Sequence, residues 1–442
     1  MNKGTGFLFF VFLFYVAIRL VPFFFVFDHT NRFFQFDSYD YNELGQNIAL
    51  HGYYVPKPVE PGLRRSPGYP VYLAIIYRLF GVNPAIALFF QIILSGFIPI
   101  FLYLNARLLF SKSIGAIASV ISIFEPVSII YSNMLLAETL FVLFLLMSTY
   151  FFIRSLKSYN LTFIAISSMC AVITAYLRAI DMYIIFVFAF LYLINQHLTL
   201  GERIKSMGFF IIIFIALIIP WFVRNYEVYG YKGFCSIQDT NLYNYRAAGV
   251  VSEIQGISLK DAQSQLEKEV PEGLSLAQTY QFYRDHALRI ILHHPYAYLV
   301  VMLKGSINML LSPERYTLFK LSGIKPRLLN FMWQGHSMTK ALKMILADPP
   351  LIVAMISYQI MFNGLLLLFV FIGIIVLAGE GYYKELLFLL TIMSYFVVLS
   401  AGPEAEPRFR LTTLPYEIIT ASVAIASMYG SFSRRHYKKT LK

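Results

Sequence analysis

Two short stretches near the start of the chain carry residue types that do chemistry. Phe36-Asp37-Ser38-Tyr39-Asp40-Tyr41 sets two carboxylates among tyrosines, just past the first long apolar run. Arg64-Arg65-Ser66-Pro67-Gly68-Tyr69-Pro70 follows in the same polar loop. A carboxylate can take a proton from a hydroxyl, or two can hold a divalent cation. Paired arginines grip phosphate through forked donors. More charges stand at the ends of later apolar runs: Glu138 in Ala137-Glu138-Thr139, Arg178 and Asp181, Arg224 in Pro220-Trp221-Phe222-Val223-Arg224-Asn225, and Arg408 and Arg410 in Pro407-Arg408-Phe409-Arg410. Each has a plainer reading. Asp37 or Ser38 could cap a helix, and Asp40 could complement a helix dipole. Arg178 and Asp181 could pair locally across a turn, and a lone arginine at a membrane surface snorkels to headgroups.

The elements that must position these residues are membrane spans. Hydrophobic residues make up 58% of the chain and charged residues only 14%, against about 45–50% and about 25% in soluble domains. Apolar runs long enough to cross a bilayer recur. Spans are expected near 6–27, 83–106, 114–132, 135–153, 160–177, 180–196, 207–223, 351–378, 386–401 and 411–430. The first is too long for a signal-peptide core and no small-residue cleavage site follows it, so it is read as a retained span. With the N-terminus in the cytoplasm, Arg107, Lys112, Arg154, Lys157, Arg203, Lys205 and the basic tail around Arg434 and Lys438 all fall inside, as the positive-inside rule asks. Two further segments, 296–311 and 328–347, must both cross or both stay out. The reading preferred is that both lie at the interface, giving ten spans rather than twelve.

That topology makes one membrane domain, 1–442, with a first exoplasmic loop at 28–82 and a longer exoplasmic region at 224–350. Within the first loop a helix is expected over 39–51: Tyr41, Leu44, Ile48 and Ala49 share a face, and Gly52 stands at its C-terminal cap. A second short helix over 69–80 is entered through Pro67-Gly68 and closed by Gly81. Farther on, Ser258 should cap a helix over 259–269. No segment alternates as a barrel strand would, and no internal repeat is visible.

Asp37, Arg64, Arg65, Arg178, Arg224, Arg408 and Arg410 all fall on the exoplasmic side, where positive charge is normally depleted. A set of arginines facing a carboxylate loop there points to an anionic ligand, and a lipid phosphate at headgroup level is the natural candidate. The net charge of +12 clusters at span ends, which suits anionic lipid and argues against nucleic acid. Cys170 in a span and Cys235 in a loop offer neither a metal spacing nor an evident disulfide.

These motifs, in this order, resemble the GT-C class of polytopic membrane glycosyltransferases. The nearest branch is the bacterial one related to protein mannosyltransferases and to the aminoarabinose transferase of lipid A. The resemblance lies in Asp37-Ser38-Tyr39-Asp40-Tyr41 with Leu44-Gly45-Gln46-Asn47 and Gly52-Tyr53-Tyr54; in Arg65-Ser66-Pro67-Gly68-Tyr69-Pro70; in Ala137-Glu138-Thr139 and Leu177-Arg178; in Pro220-Trp221 with Arg224-Asn225; and in Arg408-Phe409-Arg410 ahead of Pro415. It covers the first half and the last span pair. The resemblance implies a GT-C-like all-α bundle in a bacterial plasma membrane, serving the cell envelope, with an exoplasmic active site. It implies inverting transfer of a sugar from a polyprenyl-phosphate donor to a hydroxyl of a protein, lipid or surface glycan. Asp37 matches the family's catalytic carboxylate. Arg64, Arg65, Arg178, Arg224, Arg408 and Arg410 inherit the donor phosphate, and Asp40, Tyr41, Tyr69 and Glu138 supporting or acceptor-side roles. Where many members place a second acid beside the first, this chain has Ser38, so a divalent cation on Asp37 and Asp40 stays an open expectation. Two other readings stand beside this one: an O-antigen or capsule polymerase or ligase, and a transporter of lipid-linked sugars. A transporter is expected to carry charges at mid-membrane and repeated halves.

Overall fold

The computed structural model describes residues 3–54, 62–324 and 347–430. Those residues form helices and no strand. The chain opens with α1 (Lys3–Val26), then lays down α2 (Phe36–His51) and α3 (Gly68–Phe80) from the first loop. It continues through α4 (Pro84–Ser95), α5 (Ile98–Leu109), α6 (Lys112–Ile123), α7 (Pro126–Ser132), α8 (Glu138–Lys157), α9 (Leu161–Leu177), α10 (Ile184–Ile194) and α11 (Leu200–Tyr229). A second region of short helices follows: α12 (Ile237–Asn241), α13 (Ala248–Gln255), α14 (Leu259–Glu267), α15 (Leu276–His293), α16 (Pro295–Leu311) and α17 (Arg315–Ser322). The bundle closes with α18 (Pro350–Gly379), α19 (Tyr383–Ser400) and α20 (Leu414–Met428).

Among the described residues six helical runs are long and apolar enough to cross a membrane, counting α4 and α5 as one, and the bent pair α6–α7 makes a seventh. Four shorter apolar helices, of 10–17 residues, include α9, α10, α16 and α20. Each of the ten expected spans falls on one of these helices. The 296–311 segment is one of the four shorter ones, while 328–346 and the basic tail lie outside the described residues. The loop helices start one to three residues earlier than the spacing predicts, and Gly52 and Gly81 end them with φ of 75° and 80°. Ser258 caps α14, accepting from Asp261 N–H.

The bend between α6 and α7, 59°, has a local cause. Pro126 has no N–H, so the Ser122 carbonyl one turn back loses its helical partner. Arg19 of α1, fully buried, fills the gap: its guanidinium donates to Ser122 O and Ile123 O, both at 3.3 Å, and to Ser128 Oγ at 2.7 Å. Glu125 caps the new helix start through Val127 and Ser128 N–H. Two charges inside the apolar core thus re-satisfy a broken backbone. The bend carries the chain into the turn before Glu138.

Close contact also fixes the first loop. A Cβ on Gly68 would lie 2.7 Å from the backbone of Tyr176 and 2.8 Å from Leu177 N, so α3 begins flush against the end of α9. Forcing that contact apart costs about 1–3 kcal/mol. Gly68→Ala should therefore lower the unfolding free energy in detergent by that much; an unchanged stability would show that the two ends are free to part.

Candidate active site

The first turn of α2 is organised by Gln35 together with Ser38, one of the two residues suggested from the sequence, and not by Asp37. Gln35 accepts from the Ser38 backbone, and Ser38 Oγ accepts from Gln35 N–H at 2.9 Å. This reciprocal capping box satisfies the helix start and leaves Asp37 without a capping duty. Gln35 is held in turn by Thr317 of α17, through Nε2 to Oγ1. Glu314 caps α17 and accepts from Tyr131 Oη at 2.5 Å. A buried polar chain thus ties the start of α2 to α7 and α17.

With the cap supplied elsewhere, the Asp37 carboxylate turns to two arginines from opposite ends of the chain. Arg65 Nη2 donates to Oδ1 at 2.8 Å and Arg408 Nη1 to Oδ2 at 2.9 Å. Arg65 also donates from Nε to Asp40 Oδ2 at 2.8 Å, and its guanidinium lies 5.7 Å from the Tyr41 ring. Arg408 forms an ion pair with Glu406 at 2.9 Å. Arg64 stands at the rim, 3.9 Å from Asp40, with its side chain 57% exposed. Arg178 pairs with Glu138 at 3.2 Å and lies over the Phe409 ring at 5.1 Å; Arg408 lies at the same distance from that ring.

Burial pushes the Asp37 carboxyl up, but the guanidiniums of Arg408 and Arg65 outweigh it and hold it down at about 2. Burial also pushes Glu406 up, against the pull of Arg408. Two carboxylates on one guanidinium are thus driven in opposite directions.

Several expected residues are placed elsewhere. Arg178 does not pair with Asp181, which is buried and takes Thr174 Oγ1 instead. Arg224 donates to Gly62 O and Tyr54 O at 3.0 and 3.2 Å and packs on Trp221, so it ties two points of the first loop between α2 and α3 to the end of α11. Arg410 faces the bundle interior: Nε and Nη2 both donate to Glu417 Oε2, at 2.9 and 2.7 Å, and Nη1 to Leu310 O. Tyr69 is fully buried and donates to Gln91 at 2.7 Å. The arginines that the fold gathers with Asp37, Asp40, Glu138 and Glu406 are therefore Arg64, Arg65, Arg178 and Arg408. Asp37 and Asp40 do not fit a cation: Arg65 lies between them, and no group of three or more His, Cys, Asp or Glu among the described residues could hold a metal ion. Glu406 was missed from the sequence. Its signal was there in Pro403-Glu404-Ala405-Glu406-Pro407, acids packed between two apolar helices.

A family model described as dolichyl-phosphate-mannose-protein mannosyltransferase matches residues 64–223. No curated protein matches the chain. Among solved structures, the archaeal oligosaccharyltransferase AglB from Archaeoglobus fulgidus shares the fold. In complex with an inhibitory peptide and a dolichol-phosphate it matches with a TM-score of 0.57 at 12% identity, over 100% of this chain and 51% of that one. The apo form gives 0.57 at 13%, over 100% and 52%. The complex with Zn and sulfate gives 0.55 at 14%, over 96% and 49%. The chain spans about half the length of the structures it matches. Two comparisons thus agree with the resemblance to the GT-C class: a family model matches residues 64–223, and the fold is similar to that of AglB.

Proposed function

We propose that this protein is an inverting glycosyltransferase of a bacterial plasma membrane, moving a sugar from a polyprenyl-phosphate donor to a hydroxyl on an exoplasmic protein, lipid or glycan. The observation that carries the reading is one ionised carboxylate, Asp37, set between two arginines, Arg65 and Arg408, where loops and helix ends from both halves of the chain meet. The matched family model is described by a lipid-linked mannose donor, and a dolichol-phosphate accompanies the similar fold. The positive-inside pattern supports an exoplasmic position for that end of the bundle.

In this reading the acceptor hydroxyl gives its proton to Asp37 as its oxygen attacks the anomeric carbon. The bond from that carbon to the phosphate oxygen breaks on the opposite face, so the configuration inverts. The leaving polyprenyl phosphate keeps the electron pair. Arg408, Arg65 and the rim residue Arg64 stabilise the charge that builds on it, and in such a site this stabilisation accelerates the reaction more than any other effect. Asp40 and Glu406 hold the arginines in place. Proton removal by a positioned base is worth about 10²–10⁴-fold.

The test is release of polyprenyl phosphate in proteoliposomes supplied with a panel of polyprenyl-phosphate sugars and a membrane glycan extract. Wild type should release it, and Asp37→Asn should lose roughly 10²–10⁴ of the rate while eluting and melting as a folded protein. Full release by the variant removes Asp37 as base. Release by neither, from any donor, removes the transferase.

A further inference from the structure

Two arginines of the cluster each touch Asp37 and one further carboxylate. Arg65 holds Asp40 through Nε and reaches Asp37 Oδ1 through Nη2, both at 2.8 Å. Arg408 places Nε 2.9 Å from Glu406, an ion-pair contact without a hydrogen bond, and donates through Nη1 to Asp37 Oδ2 at 2.9 Å. Asp40 anchors the Nε side of Arg65, Glu406 pairs by charge with that of Arg408, and one Nη from each arginine converges on the two oxygens of one carboxylate. Two converging guanidiniums suit phosphate, which offers two terminal oxygens to two forks and carries its charge between them. Asp37 fills that place with a carboxylate of the chain's own.

The charges nearby balance. Asp37, Asp40, Glu138 and Glu406 face Arg64, Arg65, Arg178 and Arg408, four against four. A phosphate entering such a site with every pair intact would meet no excess of positive charge. It would also have to sit beside the half-buried Asp37, where like charges repel strongly.

We infer that Arg65 and Arg408 form a phosphate clamp that Asp37 plugs in the resting protein, and that the phosphate of a lipid-linked donor displaces the Asp37 carboxylate from the two Nη ends while Asp40 and Glu406 keep the Nε sides. This rests on the donor named in the proposed function. Arg64, exposed at the rim, draws the phosphate in. Displacement has a chemical consequence. Bound to two guanidiniums, the carboxylate is a poor proton acceptor; released from them, it becomes a competent one. The base therefore arises only once the leaving group is seated.

The experiment measures binding, so it stands apart from turnover. Affinity for polyprenyl monophosphate in detergent is compared among wild type, Asp37→Asn, Asp40→Asn and the double variant Asp37→Asn/Arg408→Gln, with neutral polyprenol and phosphatidic acid as the other ligands. Asp37→Asn should bind polyprenyl phosphate roughly tenfold more tightly or better, the worth of one charge-assisted hydrogen bond. The gain should vanish in the double variant. Asp40→Asn should gain nothing, because it frees the anchored side of Arg65. Equal gains from both single variants would mean only that a negative charge had been removed, and would overturn the clamp. So would unchanged or weaker binding by Asp37→Asn, or an equal gain for phosphatidic acid. If no protein prefers polyprenyl phosphate to polyprenol, the donor reading itself falls, and the clamp with it. Should Asp37→Asn not fold, the infrared difference spectrum of wild type decides. Polyprenyl phosphate must shift a carboxylate stretch that polyprenol leaves alone, and a spectrum without that shift overturns the exchange.

Discussion

Arg408→Met should cut sugar transfer by roughly 10²–10³-fold and bring a new acid limb into the pH profile. The first effect follows from position. Arg408 is one of two guanidiniums that reach Asp37 directly, and its removal takes a donor away from the charge developing on the leaving phosphate. The second follows from the electrostatics of Asp37. Burial alone raises that carboxyl; Arg408 is the strongest of the groups holding it down, ahead of Arg65 and Arg178, and together they keep it at about 2. In wild type, kcat/KM should show no limb from Asp37 across the accessible acid range, because the free protein keeps it ionised. Without Arg408 the carboxyl rises, protonates as the medium turns mildly acidic, and activity falls with it. The sign for stability is the same. A carboxyl depressed from 3.8 to about 2 stabilises the fold fully above the higher value and loses that contribution as pH falls through the lower one. Arg408→Met profiles that fall in magnitude but keep the wild-type shape would separate Arg408 from Asp37. Rates within a factor of two of wild type would place the phosphate elsewhere.

Much of this architecture is readable along the chain because it is local. The apolar runs locate a helix at each of the ten expected positions, six or seven of them long enough to cross a membrane, and Gly52 and Gly81 close the two loop helices because only glycine takes their positive φ without strain. The partners of those elements are not local, and there the reading stops. Asp37 and Arg408 stand 371 positions apart, and nothing in either motif names the other. Asp37 looks like a cap because aspartate often is one, yet Gln35 takes that place, a choice fixed by Thr317 in α17, far along the sequence. Arg178 and Asp181 look like a pair because they flank one turn. The turn instead sends Arg178 across to Glu138, since α9 packs along α8 and brings its C-terminal end to the start of that helix. Glu125-Pro126 looks like a charge stranded in a span until Arg19 is seen beside the same break.

Arg410 shows how far spacing can mislead, and it carries the last large effect. Arg408 and Arg410 stand two residues apart on a short 3₁₀ helix, Pro407–Thr412, and from sequence both read as phosphate ligands. That helix points them in different directions. Arg408 reaches the cluster, whereas Arg410 is 2% exposed and directs its donors to Glu417 and Leu310 O. Glu417 is equally enclosed, and its other oxygen takes Thr413 Oγ1 at 2.6 Å. Removing one member of a buried, fully bonded pair leaves the other as an uncompensated charge, at a cost of about 3–5 kcal/mol. Arg410→Met and Glu417→Leu should each lower the unfolding free energy in detergent by that amount. The double variant should recover most of the loss, because two apolar side chains strand no charge. Transfer per folded molecule should stay within a few-fold of wild type in the double variant, in contrast to the collapse expected for Arg408→Met. A double variant that folds well yet fails to transfer would return Arg410 to the phosphate. A single variant that melts as wild type would show that the pair is not what fixes the last helix of the bundle beneath the site.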